Sequence, residues 1–303
     1  MPQTAKWIAV NLGRSSLKAW VIGVDDQVIE TLSAQIETNE PQAFEATLLD
    51  MLTAHMGDGL VPIICCGALD DQQDWSDVPF GKVPCKPGAA EFVAKLETQD
   101  PRLDVVFLPG VIQDNPADVM CGEETKIAGF LAEEPEFDGI VCLPGAHTKW
   151  AHISAGEIVS FRTFMTSELF TLLSEQSVLS HSVQDKGWND IEFENAVADG
   201  MSSPQMLGAR LFGLRAEALL RDAPATTLKA RLWGMLIGLE LAGSRPYWLG
   251  QNVAIIGEPE MTTLYAAALR IHDVPAQLIG ADRVTQKGLS LAYNSLFKIK
   301  YDA

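Results

Sequence analysis

Two stretches of the chain place a glycine turn between runs of strand-forming residues, with cationic side chains in or beside the turn. The first reads Asn11-Leu12-Gly13-Arg14-Ser15-Ser16-Leu17-Lys18 and the second Leu143-Pro144-Gly145-Ala146-His147-Thr148-Lys149-Trp150. Such turns expose backbone N–H groups that form a concavity for an anion, and the phosphates of ATP would suit it. Either stretch alone is equally well a plain hairpin. Together, with Arg14, Lys18, His147 and Lys149 close by in an acidic chain, they favour a two-part phosphate clamp. Neither matches the GxxxxGK[ST] loop, so the other common nucleotide architecture has no support.

The elements that must carry these turns alternate along the chain. Trp7 to Val10 and Leu17 to Val24 read as strands flanking the first turn, with 27–34 as a third. Pro41 to His55 reads as a helix, because Phe44, Leu48, Leu49 and Leu52 fall on one face. Val61 to Cys66 is a buried strand, Gly88 to Lys95 a short helix, Asp104 to Leu108 a strand and Asp118 to Ala132 a helix. The second half repeats the opening. Strands Ile140 to Leu143, Lys149 to Ile153 and Glu157 to Thr163 surround the second turn, and helices follow from Ser167 to Gly243. Val253 to Ile256 and Ala276 to Leu278 are further strands, and a helix runs from Val284 to Phe297.

Bulk composition sets limits on partners. The 303 residues carry 22 Lys and Arg against 40 Asp and Glu, a net charge of −18. A diffuse negative field repels phosphate, which argues against nucleic acid or an anionic membrane as partner. Hydrophobic content of 47% with 20% charged residues is that of a globular protein. The 5 cysteines include no CxxC pair. They suggest neither a disulfide framework nor a zinc site, and they suit a reducing cytoplasm. No signal-peptide pattern opens the sequence, and no apolar run approaches the ~20 residues of a membrane span. The longest candidate, Leu232 to Ala242, is short and contains Glu240.

The motifs in order resemble the 2-dehydro-3-deoxygalactonokinase family. They are Ile8-Ala9-Val10-Asn11-Leu12-Gly13 with Leu17-Lys18-Ala19-Trp20, then Met120-Cys121-Gly122-Glu123-Glu124-Thr125, then Pro144-Gly145-Ala146-His147-Thr148-Lys149-Trp150. Phe161-Arg162-Thr163-Phe164-Met165-Thr166-Ser167-Glu168-Leu169, Gly234-Met235-Leu236-Ile237-Gly238-Leu239-Glu240 and Asp282 with Gln286-Lys287-Gly288-Leu289 extend the match over nearly the whole chain. The resemblance implies an α/β, two-lobed actin-like ATPase (ribonuclease H-like) fold with the active site in the interdomain cleft. Its lobes would be residues 1–137, for substrate and phosphate, and 138–303, for ATP, with a last helix of about 284–297 returning to the first lobe. It implies a cytoplasmic, Mg2+- and ATP-dependent kinase of galactonate catabolism that phosphorylates the terminal hydroxyl of 2-dehydro-3-deoxygalactonate, and a homodimer.

Residue roles follow from the same likeness. Exopolyphosphatases of the superfamily place a catalytic glutamate in a similar Gly-Glu-Glu stretch, so Glu123 or Glu124 would be the general base, Glu123 ahead. For an isolated acid pair, complementing a helix dipole is the plainer explanation. Adjacent helical residues do not share a face, so one of the two would face the site. Lys149 is the third catalytic candidate. Asn11, Gly13, Arg14, Ser15, Gly145 and His147 would bind phosphate, and Lys18, Asp70, Asp71 and Arg162 the acceptor. The planar fork of Arg162 suits a carboxylate, with a structural bridge to Glu168 as the competing reading. Gly257, Glu258 and Asp282 would border adenosine, Gly288 lying near them. The Gly234/Gly238 pair reads as close helix packing.

Departures from the family pattern cluster at these positions. Asn11 stands where Asp helps hold hydrated magnesium, leaving an indirect metal contact without the charge. Arg14 replaces Ser, Cys121 replaces Arg and Ser167 replaces Gly. Asp70 and Asp71 stand where small residues are usual and would alter the acceptor pocket. Two readings follow: a working kinase, with this acceptor or a shifted one, or a catalytically degenerate nucleotide- or sugar-binding module. A phosphohydrolase of the same fold is a third.

Overall fold

The computed structural model describes residues 4–13, 16–36, 41–67, 80–88, 93–184 and 186–298. The chain divides into two compact units, Met1–Phe137 with Ser154–Ser160 and Ala281–Ala303, and Asp138–Ile153 with Phe161–Gly280.

In the first unit β1 (Trp7–Leu12), β2 (Ser16–Ile22) and β3 (Val28–Gln35) form an antiparallel meander. Helix α1 (Pro41–Leu52) leads to β4 (Val61–Gly67), which returns parallel to β1. Strands β5 (Gly81–Lys82), β6 (Ala94–Lys95) and β7 (Leu103–Phe107) follow, and the main sheet has the order β3-β2-β1-β4-β7-β6. The alternation along β1 explains its two-sided burial. Ile8, Val10 and Leu12 join Phe44, Leu48 and Leu52 of α1 in one core cluster, whereas Trp7 and Ala9 join a second cluster on the opposite face. Strands β8 (Val111–Asp114) and β9 (Ala117–Met120) pair with β5 in a small separate sheet, and α2 (Glu123–Glu133) follows.

The second unit repeats the plan. Strands β10 (Gly139–Leu143), β11 (Thr148–Ser154) and β12 (Glu157–Phe164), the last of which belongs to this unit only from Phe161, precede helices α3 (Thr166–Gln176), α4 (Ser180–Val183), α5 (Asp190–Ser202), α6 (Leu207–Arg221), α7 (Ala225–Gly243) and α8 (Arg245–Trp248). Then come β13 (Val253–Gly257), α9 (Pro259–Arg270) and β14 (Ala276–Gly280). Its sheet order, β12-β11-β10-β13-β14, matches β3-β2-β1-β4-β7 strand for strand. Helix α7 packs tightly on α5 through glycines. A Cβ at Gly234 would lie 2.4 Å from the Phe193 carbonyl oxygen, and one at Gly238 2.4 Å from that of Val197. The packing role read for this pair from the sequence is what the structure shows.

The last helix, α10 (Ala281–Tyr293), belongs to the first unit. Leu289, Ala292 and Tyr293 join the Trp7 and Trp20 side of the main sheet, and Tyr293 stacks on Trp7 with ring centroids 4.5 Å apart. Gly288 packs against α2, where a Cβ would meet the Thr125 carbonyl oxygen at 2.1 Å. Among the described residues, no helix is long and apolar enough to cross a membrane.

Three expectations need correction. Ala94 and Lys95 form a strand rather than the end of a helix: they pair with Phe107 and Val106, and Lys95 reaches Asp104 at 2.6 Å. Residues 118–120 belong to β9, because the β8–β9 hairpin pairs Gln113 with Asp118 and Val111 with Met120. Helix α2 begins only after Gly122, whose φ of +99° interrupts any helix from Asp118. The last helix starts at Ala281, three residues earlier than expected, and gives way to a wider π turn at Asn294–Lys298.

Candidate active site

In the first unit, β1 and β4 end side by side, with Asn11 opposite Cys66 and Leu12 opposite Gly67. The Cys66 thiol donates to Asn11 Oδ1 at 3.6 Å. Gly67 has a φ of +118°, and a Cβ there would fall 1.9 Å from the Leu12 carbonyl oxygen, so no other residue fits. A Cβ on Gly122 would in turn lie 2.8 Å from Gly67 Cα. Two glycine backbones thus touch and bring the start of α2 to the ends of β1 and β4.

That contact fixes the two glutamates in different surroundings. Glu124 is 1% exposed, and its two carboxyl oxygens accept from the Gly122 N–H at 2.9 and 2.8 Å. The Thr125 hydroxyl donates to it at 3.1 Å. Burial, and next the neighbouring Glu123, push the Glu124 carboxyl up to about 8 against the opposing pull of these hydrogen bonds. It is therefore largely protonated at neutral pH. Glu123 is half-buried and accepts from the Cys121 N–H at 3.0 Å. Burial pushes the Cys66 thiol up to about 12, with Glu124 adding to the effect, which leaves it an inert thiol.

Lys18 lies opposite Asn11 across the β1–β2 ladder, and its ammonium pairs with Asp282 in the first turn of α10. The structure thus joins a residue assigned to the acceptor with one assigned to adenosine. The Gly13 N–H donates to the Ser16 carbonyl at 2.8 Å and so closes its own turn. Arg14, Ser15, Asp70 and Asp71 lie outside the described residues.

In the second unit the turn after β10 leads to His147, which pairs with Glu168 of α3, and to Lys149, which is 6% exposed and stands opposite Leu143. Gly145 is exposed, and a Cβ there would meet only the His147 carbonyl oxygen, at 3.9 Å. Gly257 ends β13 against this turn, where its Cβ would lie 3.4 Å from the Pro144 carbonyl oxygen. Glu258 is exposed at the N-terminal boundary of α9. Arg162 is exposed on β12, and Glu168 pairs with His147.

Sequence reasoning missed a buried cluster in this unit. Glu240 of α7 is 1% exposed and accepts from Trp150 Nε1–H at 2.7 Å, from the Tyr265 hydroxyl at 2.7 Å and from the Thr166 hydroxyl. Tyr265 and Thr148 share a further hydrogen bond of 2.8 Å. Burial pushes the Glu240 carboxyl up to about 7, against the pull of the Thr166, Trp150 and Tyr265 hydrogen bonds. The one signal in the sequence is a lone acid inside the apolar run Leu232 to Ala242. Gly67 was missed as well, its only mark being a glycine that ends a buried strand.

Among the described residues, no three His, Cys, Asp or Glu side chains converge as a metal cage.

Comparison with known proteins matches residues 11–292 to the model of the 2-keto-3-deoxy-galactonokinase family. A probable 2-dehydro-3-deoxygalactonokinase of Rhizobium meliloti is 32% identical over 99% of this chain and 100% of its own. The 2-dehydro-3-deoxygalactonokinase of Escherichia coli is 27% identical over 94% of this chain and 97% of its own. A crystal structure from Sinorhizobium meliloti, of a protein assigned provisionally as a 2-dehydro-3-deoxygalactonokinase, superposes with a TM-score of 0.88 at 31% identity, covering 96% of this chain and 97% of that one. The activator of 2-hydroxyisocaproyl-CoA dehydratase from Clostridium difficile, with bound ADPNP, is similar in fold alone, with a TM-score of 0.55 at 8% identity over 98% and 97% of the two chains. The α/β architecture with its repeated sheet is the actin-like ATPase fold expected from the motifs. The resemblance read from those motifs holds across the chain, which belongs to the 2-keto-3-deoxy-galactonokinase family.

Proposed function

We propose that the chain is an ATP-dependent sugar-acid kinase, transferring the γ-phosphoryl group of ATP to the terminal hydroxyl of 2-dehydro-3-deoxygalactonate or a closely related acid. Beyond family membership, the observation that carries this reading is the division between the paired glutamates. Phosphoryl transfer needs a group that orients the attacking hydroxyl and accepts its proton. Glu124 is buried and bonded to Gly122 and Thr125, whereas Glu123 is half-buried beside the glycine junction. Glu123 is the carboxylate we assign as base, and Glu124 the one that holds the turn.

The other roles extend this assignment. Lys149 and His147 would neutralise charge on the transferred group, with Gly145 giving the phosphates close approach to the backbone. Asn11, Gly13, Arg14 and Ser15 would meet the phosphates from the first turn. Lys18, Asp70, Asp71 and Arg162 would meet the acceptor, with the guanidinium of Arg162 donating to the acceptor's carboxylate. Gly257 and Glu258 would border adenosine, whereas Asp282, paired with Lys18, would lie on the acceptor side. Magnesium, arriving with the nucleotide, would offset charge on the phosphate oxygens, and Asn11 and Glu123 are the residues we assign to its hydration shell. A cytoplasmic location suits five free thiols, and a homodimer accords with the family likeness.

ADP release with Mg-ATP tests the function, run against 2-dehydro-3-deoxygalactonate, its gluconate epimer and simple hexoses. Release that depends on the sugar acid is expected. Silence across the panel from a protein that binds ATP in calorimetry would contradict the proposal and favour a binding module.

A further inference from the structure

We propose that Glu240 is a positioning residue for phosphoryl transfer, holding Lys149 and the His147–Glu168 pair in place through the buried hydrogen bonds it accepts. This rests on the reading of Lys149 as part of the catalytic machinery.

The geometry makes the case. Side chains alternate along a strand, so Thr148 and Trp150 point to one face of β11 and Lys149 to the other. Both residues that flank Lys149 are tied to Glu240, Trp150 directly and Thr148 through the Tyr265 hydroxyl. The third donor, Thr166, is the first residue of α3, and two residues on Glu168 pairs with His147. One carboxyl on α7 therefore fixes the start of β11, the start of α3 and Tyr265 of α9. Trp150, Thr148 and Tyr265 are 0% exposed, so water offers no substitute partners.

Packing alone gives no reason for an acid here. Desolvating a carboxyl is unfavourable, and apolar side chains of similar volume often serve a core as well or better. What a carboxyl adds is direction: it sets distances to three donors on three elements at once. Displacements near 1 Å can slow a transfer reaction about a hundredfold, so such control bears on turnover.

The inference is tested with Glu240→Leu, Lys149→Ala and the double variant, reading kcat for ADP release with 2-dehydro-3-deoxygalactonate, together with melting temperature. Glu240→Leu is expected to lower kcat about tenfold or more, and Glu240→Gln, which can satisfy the same three partners, to stay within about threefold of wild type. If Glu240 acts through Lys149 and the His147–Glu168 pair, the double variant loses less than the product of the two single losses. Should Glu240→Leu fail to fold, Thr166→Val removes one donor at nearly constant shape and enters the same cycle. Losses that multiply, or a Glu240→Leu enzyme with wild-type kcat, would overturn the inference while leaving the role of Lys149 intact. Wild-type kcat in Lys149→Ala would instead overturn the assignment of Lys149 itself, and the inference with it.

Discussion

The two units share a sheet order but secure their glycine turns in opposite ways. In the first, backbone meets backbone: Gly122 lies on Gly67, Gly67 on Leu12, and Glu124 binds the N–H of Gly122. In the second, side chains do the work, with Glu240 gathering Trp150, Tyr265 and Thr166. Both acids are buried, and burial is the leading cause that raises both. The difference teaches that a repeated topology does not repeat its local chemistry. A backbone junction tolerates no added atom, whereas a side-chain hub tolerates exchange of donors and acceptors.

The sharpest way to break this comparison is to add a single methyl group. Gly67→Ala forces a Cβ into the Leu12 carbonyl at a left-handed φ, and should destabilise by about 3 kcal/mol or more. In a chain of 303 residues that lowers the melting temperature by roughly 5 °C. The same change at Gly145, which meets nothing closer than 3.9 Å, should stay within about 0.5 kcal/mol. Equal melting temperatures for the two variants in calorimetry would mean that the first junction is not tight.

A smaller effect concerns pH. The folded value of Glu124, about 8, lies above its ordinary 4.5, so the folded state binds the proton more tightly. Its contribution to stability is complete below pH 4.5 and is lost as pH rises through 8. The limiting slope is on the order of 1.4 kcal/mol per pH unit. Glu240, raised to about 7, acts in the same direction over a slightly lower window. Denaturant melts of Glu124→Gln between pH 6 and 8.5 should therefore show a shallower decline than wild type, with the part due to Glu240 remaining. An unchanged decline would show that Glu124 does not titrate in this range.

Much of this arrangement was legible in the sequence, for physical reasons that also explain the failures. Buried strands such as Val61 to Cys66 announce themselves by continuous apolar runs, and α1 by the spacing of Phe44, Leu48 and Leu52. The short strands β5, β8 and β9 do not, because two to four residues carry too little periodicity, and β9 was absorbed into the helix after it. Pairing across 264 positions, as between Lys18 and Asp282, leaves no local trace. Adjacency of Glu123 and Glu124 did indicate unlike surroundings, since a helix turns its neighbours apart. Which one is buried depended on Gly122, whose left-handed backbone aims its N–H at Glu124.

The most direct test of the account compares Glu123→Gln with Glu124→Gln in sugar-acid-dependent ADP release, alongside ATP affinity by calorimetry. With Glu123 as base, its variant should lose roughly a hundredfold or more in kcat at nearly unchanged ATP affinity. Glu124→Gln should keep most of its turnover at neutral pH, where the wild-type carboxyl is already largely protonated. Near wild-type turnover in Glu123→Gln, with the large loss in Glu124→Gln, would contradict the division of labour drawn between these two residues.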